Sequence, residues 1–108
     1  MVGSIRHGWA RPEKADEYER ILKEEIFPGI ADKMVPGYRG IQLFRGPVEG
    51  GEAELVTIMR FGSLEAVRLF SGEDHERAYV PQKAREVLAR LDERLHHYEI
   101  KESLEYRP

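Results

Sequence analysis

Leu55-Val56-Thr57-Ile58-Met59-Arg60-Phe61, residues 55–61, is the stretch that decides the fold. Side chains alternate across a strand, so Leu55, Thr57, Met59 and Phe61 share one face and Val56, Ile58 and Arg60 the other. Apolar residues on both faces predict a central strand covered on both sides. Ser63 follows as an N-cap for a helix from Leu64, whose apolar face is Leu64, Val67 and Phe70.

Upstream, Gly46-Pro47-Val48-Glu49-Gly50-Gly51 reads as a loop, preceded by a strand over Tyr38 to Arg45 and the turn Pro36-Gly37. Before that turn, Ala15, Tyr18, Leu22 and Ile26 recur at three and four and make one face of a helix. Pro12 sits in its first turn, and Pro28-Gly29 ends or kinks it. Ile5, His7 and Trp9 alternate with Arg6 and Gly8 in a short first strand. Downstream, Ser71-Gly72-Glu73-Asp74 interrupts the second helix and His75 to Val80 forms a short turn. Pro81 then opens a helix striped by Ala84, Val87, Leu88, Leu91 and Leu95. His96 to Lys101 is a last strand, and residues 102–108 are polar enough to fray.

The order strand, helix, strand, strand, helix, strand is that of an α+β, ferredoxin-like βαββαβ fold. Right-handed crossovers place the first and third strands at the centre of a four-stranded antiparallel sheet. The helices cover one face only. The other keeps Val56 and Ile58, if Leu55 faces the helices, and an uncovered apolar face needs a partner. The expectation is a dimeric α/β barrel, a homodimer joined through its sheets.

The chain of 108 residues is read as one domain, with its core over about residues 4–101. Its 20 acidic and 17 basic residues give a net charge of -3 and are interspersed. No basic stripe speaks for nucleic acid, and no polybasic patch speaks for a membrane surface. The chain has no cysteine, which excludes disulfides, thiolate metal sites and a Cys nucleophile. With no apolar h-region at the N-terminus and no long apolar run, a cytoplasmic protein is expected.

Several of these stretches resemble one family. They are His7-Gly8-Trp9 before a helix, Pro36-Gly37-Tyr38-Arg39-Gly40, Val56-Thr57-Ile58-Met59-Arg60-Phe61 and Ser63-Leu64-Glu65-Ala66-Val67. Together the chain is similar, over roughly residues 4–101, to the antibiotic biosynthesis monooxygenase-like family. That superfamily holds cofactor-free oxygenases of phenolic polyketides, haem-degrading enzymes, quinol oxygenases and members without known activity, and fold analogy does not choose among them. The resemblance implies a pocket between the covered sheet face and the helices. Haem-degrading relatives use an Asn in strand one, a Trp in the helix after strand three and an axial His further on. Here the first strand offers His7, the helix Phe70, and the distance from Phe70 leads to Val80 rather than to His75.

The residues expected to line the pocket are His7, Trp9, Tyr38, Met59, Phe70, His75 and Tyr79. His7 and Trp9 share a face of the first strand and are the candidate catalytic pair. Burial keeps a histidine neutral, as a general base must be. A core histidine with both ring nitrogens satisfied explains His7 equally. Tyr38, Met59, Phe70, His75 and Tyr79 are candidates for holding an aromatic substrate. His75 and Tyr79, four apart, make either a lid pair or a solvated surface turn. Arg60 faces either a substrate oxyanion or a structural carboxylate. His96 and His97 face opposite sides of a strand and cannot chelate together, so no metal and no cofactor are expected. Two functions fit: a cofactor-independent monooxygenase acting on a small aromatic or phenolic compound, or a non-enzymatic module for small-molecule binding and dimerisation. Haem binding through His75 is a third.

Overall fold

The computed structural model describes residues 1–72 and 82–107. Its elements run β1 (Val2–Ala10), α1 (Pro12–Ile21), a π-helical turn (Leu22–Ile26), α2 (Phe27–Asp32), β2 (Tyr38–Glu49), β3 (Glu52–Phe61), α3 (Leu64–Ser71), α4 (Gln82–Val87), β4 (Arg90–Leu91) and β5 (His96–Glu99). All strand pairs are antiparallel, in the order β2-β3-β1-β4, and β5 pairs the same edge of β1 as β4. The first and third strands are central, as the split βαβ pattern predicts. The fourth position is shared by two short strands, giving five strands in four places.

The β2–β3 hairpin is longer than the sequence suggests. β2 continues to Glu49, and only Gly50 and Gly51 form the turn, with φ of 59° and 80°. Two consecutive positive φ values define the turn that matches the twist of paired strands, and glycine reaches them without strain. Pro47, expected in a loop, sits at an irregularity between Arg45 and Val48. β2 is an edge strand, where a missing N–H leaves no ladder bond unmade.

Pro28-Gly29 does not end the first helix. The turn before Pro28 widens instead, and the Phe27 N–H donates to the Leu22 carbonyl five residues back. A proline inside an α-helix clashes with the carbonyl four residues earlier, and the wider π turn relieves that clash. α2 then carries on, with Ile30 buried. Three ion pairs tie these helices to the rest. Arg45 of β2 reaches Asp16 and Glu19 at 2.7 and 3.3 Å, and Lys83 of α4 reaches Glu25 at 2.9 Å.

The helix expected from Pro81 through Leu95 is a correction. It ends at Val87, and the following residues become the edge of the sheet. The Ala89 N–H donates to the Trp9 carbonyl at 2.7 Å, and the Asp92 N–H donates to the His7 carbonyl at 3.0 Å. The unpaired edge of a central strand competes for those N–H groups, and tertiary pairing wins over the apolar stripe.

Ser4, Arg6, Gly8 and Ala10 of β1 are buried, together with Leu55, Thr57, Met59 and Phe61 of β3. They face the helices. Ile5, His7, Trp9, Glu54, Val56, Ile58 and the exposed Arg60 stand on the other face. The core is divided in two. One cluster joins Ala10, Ala15, Tyr18, Ile21, Leu22, Ala53, Leu55 and Ala84; the other joins Met59, Phe61, Ala66, Val67 and Leu95. Between them runs the cross-strand row Leu43–Thr57–Arg6. This row carries a hydroxyl and a guanidinium, so the two apolar clusters do not close over it. Among the described residues, no helix is long and apolar enough to cross a membrane.

Candidate functional site

A cavity opens over that polar row. Arg6, Ile26, Phe27, Ile30, Ile41, Thr57, Met59, Phe70 and Leu95 line it, and its volume is about 20 Å³. Ligand pockets are typically clefts of about 300–1,000 Å³, apolar with a few placed polar groups. This one has that composition but, at about 20 Å³, room for only about one water molecule.

Among the described residues Arg6 is its only charged lining residue, and it is 8 % exposed. Its Nη2 donates to the Tyr18 hydroxyl at 3.1 Å. Tyr18 reaches the spot from the buried face of α1, where the three-and-four periodicity of Ala15, Tyr18 and Leu22 puts it. Burial raises the Tyr18 phenol above its ordinary value, while the Arg6 charge and hydrogen bond pull it back. Tyr18 is therefore a neutral phenol at physiological pH, able to donate a proton while accepting from Arg6. Thr57 is the cross-strand partner of Arg6 and completes the polar wall.

The aromatic end belongs to α3 and the start of β2. Phe70 stacks on Tyr38 with centroids 6.4 Å apart and tilts against Phe61 at 5.8 Å. Lys33 Nζ lies 5.2 Å from the Phe70 ring centre. Burial also raises the Tyr38 phenol, and the Arg60 charge opposes that rise. α3 begins where the sequence places it, with the Ser63 hydroxyl accepting from the Ala66 N–H at 3.2 Å. Ile26 and Ile30 also line a second, more open groove with Ile21, Glu25, Gly29, Lys33 and Lys83.

Of the expected lining, Met59 and Phe70 are in the cavity wall and Tyr38 packs behind Phe70. His7 and Trp9 are not: they stand on the open face of the sheet. There His7 Nδ1 is 2.8 Å from Glu54 Oε2, and its ring stacks on Trp9 at 6.0 Å. Arg90 lies over the other part of this stack, 4.1 Å from the indole, and its Nε donates to Glu52 at 2.9 Å. His75 and Tyr79 lie outside the described residues. Arg60, weighed as an inward charge, points to the open face and is exposed.

Sequence reasoning missed Arg6. The alternation of β1 was legible, but the larger and more apolar triplet Ile5, His7, Trp9 looked like the inward face. The signal for the opposite phase was the small residue Gly8. A Cβ placed on it would meet Leu88 at 3.3 Å and the Tyr18 hydroxyl at 3.7 Å, so Gly8 lies on the crowded, covered face and a side chain there would press Leu88 aside by a few tenths of an ångström.

For a haem iron, the described lining offers no imidazole. His7 and His96 belong to the opposite face and His97 Nδ1 is 2.7 Å from the Ser4 hydroxyl. The described residues do not build an iron site, and no step is derived through one.

No protein-family profile matches the sequence, and no curated protein matches it. Solved structures do match in fold. The haem-degrader MhuD from Mycobacterium tuberculosis, with two haems bound in its active site, has a TM-score of 0.66 at 21 % identity over 97 % of this chain and 100 % of its own. A candidate antibiotic biosynthesis monooxygenase from Deinococcus radiodurans has a TM-score of 0.66 at 16 % identity, with both chains covered in full at 100 %. SnoaB, a cofactor-independent oxygenase from Streptomyces nogalater, has a TM-score of 0.58 at 14 % identity over 95 % of this chain and 94 % of its own. At these identities the likeness shows a shared α+β fold, and chemistry has to be argued from the site.

Proposed function

We propose that this chain is an antibiotic biosynthesis monooxygenase-like protein, a cofactor-independent oxygenase of a small aromatic or phenolic compound held between sheet and helices, where the small cavity over Arg6 adjoins the roomier groove of about 200 Å³ at Ile26 and Ile30. The observation that carries this reading is a guanidinium 8 % exposed in the wall of an apolar, aromatic-edged cavity. Met59, Ile41 and Phe70 offer the flat apolar contacts a ring needs. A phenol ionised there gives an electron-rich ring anion that passes one electron to dioxygen. Recombination of the two radicals forms the carbon–oxygen bond of a peroxide, which loses water to leave a quinone. The protein's part is to position the ring, exclude water and stabilise the negative charge on oxygen. The fold shared with SnoaB supports this direction.

A second reading keeps the chemistry on the open face. Glu54 accepts from His7 Nδ1–H, which leaves Nε2 as the basic nitrogen beside the Trp9 ring. That is the geometry of an oriented general base, and a second copy of the chain would close the space over it. We place the homodimer interface on this face under either reading. The absence of cysteine fits a reducing, cytoplasmic setting.

Oxygen uptake by the purified protein with a panel of anthrones, naphthoquinols and simple phenols tests both. Uptake lost in Arg6→Met and kept in His7→Ala upholds the cavity reading. Uptake lost only in His7→Ala moves the reaction to the open face. No uptake with ligand still bound in the cavity replaces both with a non-enzymatic binding module.

A further inference from the structure

Gly29 stands in a helix that gives no local reason for a glycine. It lies within α2, and a helix favours alanine over glycine. Its φ is not positive, so its backbone suits any L residue. A Cβ built on it would meet nothing within 4 Å, so no neighbour forbids a side chain either. The open space beside it is the groove it lines, of about 200 Å³. Ile26, Gly29, Ile30 and Lys33 follow one another at three, four and seven along one helical face of that groove. Gly29 is the gap in this row of side chains.

We infer that the groove seats a single-ring phenol, with Gly29 leaving the room for the ring and the Lys83–Glu25 ion pair at the rim holding the hydroxyl. The inference deepens the proposed function by naming a ligand, and it rests on the helix side of the sheet being the ligand side. Size favours it first. An apolar cavity of about 150 Å³ holds one benzene molecule, so a groove of about 200 Å³ admits one ring and little more. The adjoining cavity over Arg6, at about 20 Å³, has no room for a ring.

The lining favours it next. Ile21 and Ile30 are buried and Ile26 half-buried, and together they give a ring apolar walls. At the rim, Lys83 Nζ of α4 donates to both oxygens of Glu25 at 2.9 Å. An ammonium carries three N–H donors, and each carboxylate oxygen has lone pairs for more than one bond. A phenol hydroxyl donates to the carboxylate and accepts from the ammonium, so it meets both halves of the pair through charge-assisted bonds. An aryl ether only accepts, and an aryl carboxylate meets repulsion from Glu25. Glu25 and Ile26 both belong to the π turn, a helical irregularity of the kind that recurs at functional sites.

Amide chemical-shift titration of the full chain with phenol and with anisole locates and ranks binding without depending on turnover. Phenol should shift the Ile26, Gly29 and Ile30 amides. It should bind about threefold or more tightly than anisole, the margin of a hydrogen bond at an exposed rim. Gly29→Leu fills the space of the ring and should weaken phenol at least about tenfold, since the ring forfeits its apolar burial. Gly29→Ala should weaken it less. Both variants should raise Tm, because a helix favours either residue over glycine, and this separates lost binding from lost fold. Glu25→Gln combined with Lys83→Met should bring phenol to the level of anisole. Phenol binding unchanged in Gly29→Leu, or shifts confined to residues outside the groove, overturns the groove while sparing an oxygenase that holds its ring elsewhere. Equal binding of phenol and anisole to the unmodified chain, or a preference that survives the double variant, overturns the phenol assignment. Binding of neither probe overturns the groove and the helix-side reading together.

Discussion

Arg6 and His7 are adjacent in the chain, yet they face opposite sides of the sheet and their environments differ accordingly. His7 keeps 37 % of its side chain exposed beside Glu54, whereas Arg6 is enclosed beside Tyr18. The enclosure has a measurable consequence at Tyr18. Its phenol is raised above the ordinary value near 10, so the folded state holds the proton more tightly than the unfolded chain does. That contribution to stability is fully present below about pH 10 and is lost as pH rises through the folded value. Tyr18→Phe removes the titrating group. Urea unfolding followed from neutral to strongly alkaline pH should show a flatter decline in the variant than in the wild type. At neutral pH the same variant should be less stable by about 1–3 kcal/mol, because the Arg6 donor loses a buried acceptor. A parallel pair of curves would mean that Tyr18 is not titrating in a protected site. The sequence showed at this scale that β1 has two faces, but not which one is inward. Periodicity carries no phase, and both faces of this strand carry large side chains.

At the scale of the element, the C-terminal region shows where pattern and pairing disagree. Ala84, Val87, Leu88, Leu91 and Leu95 fit a helical stripe, but only the part up to Val87 is helical. Leu88 and Leu91 instead close over Gly8 of β1, and Leu95 joins the second core cluster. A stripe of leucines satisfies either arrangement; the unpaired β1 edge is a non-local fact that no local window contains. The β2–β3 hairpin errs the other way, since Pro47 suggests a loop and a bulged edge strand absorbs it. By contrast α3 was legible to the residue, because Ser63 is a local cap with a local partner. If the docking of residues 88–92 depends on the absence of a side chain at Gly8, then Gly8→Val should lift the segment. The Ala89 and Asp92 amides, which donate to β1 carbonyls, should then exchange with deuterium at least about tenfold faster, as local opening costs less. The Ile58 and Met59 amides in the β3 ladder should change far less. Uniform acceleration at all four would show general destabilisation and no specific seat.

At the scale of the whole molecule, the helices use one face of the sheet and leave the other to solvent. On that face, register aligns Phe44, Val56 and His7 in one row and Gln42, Ile58, Ile5 and His96 in the next. Phe44 is 48 % exposed and Tyr98 56 %, while Val56 and Ile58 are half-buried only by their neighbours. A contiguous apolar patch of this kind on a small domain marks an interaction surface. A domain of this size also has little core to spare, so burying a sheet face adds materially to its stability. Sheet-to-sheet association of two copies satisfies both demands, with Glu54, His7 and Arg90 as polar groups that limit the register. The unmodified chain should sediment as a dimer at micromolar concentration. Ile58→Lys places a charge at the middle of the patch, where its desolvation on association is uncompensated. That variant should sediment as a monomer with its far-UV circular dichroism preserved, because Ile58 contributes to neither core cluster. Arg39→Glu, an exposed change at the start of β2, should leave the dimer intact. A wild-type monomer, or an Ile58→Lys dimer, would remove the interface from this face and leave its apolar rows without an occupant.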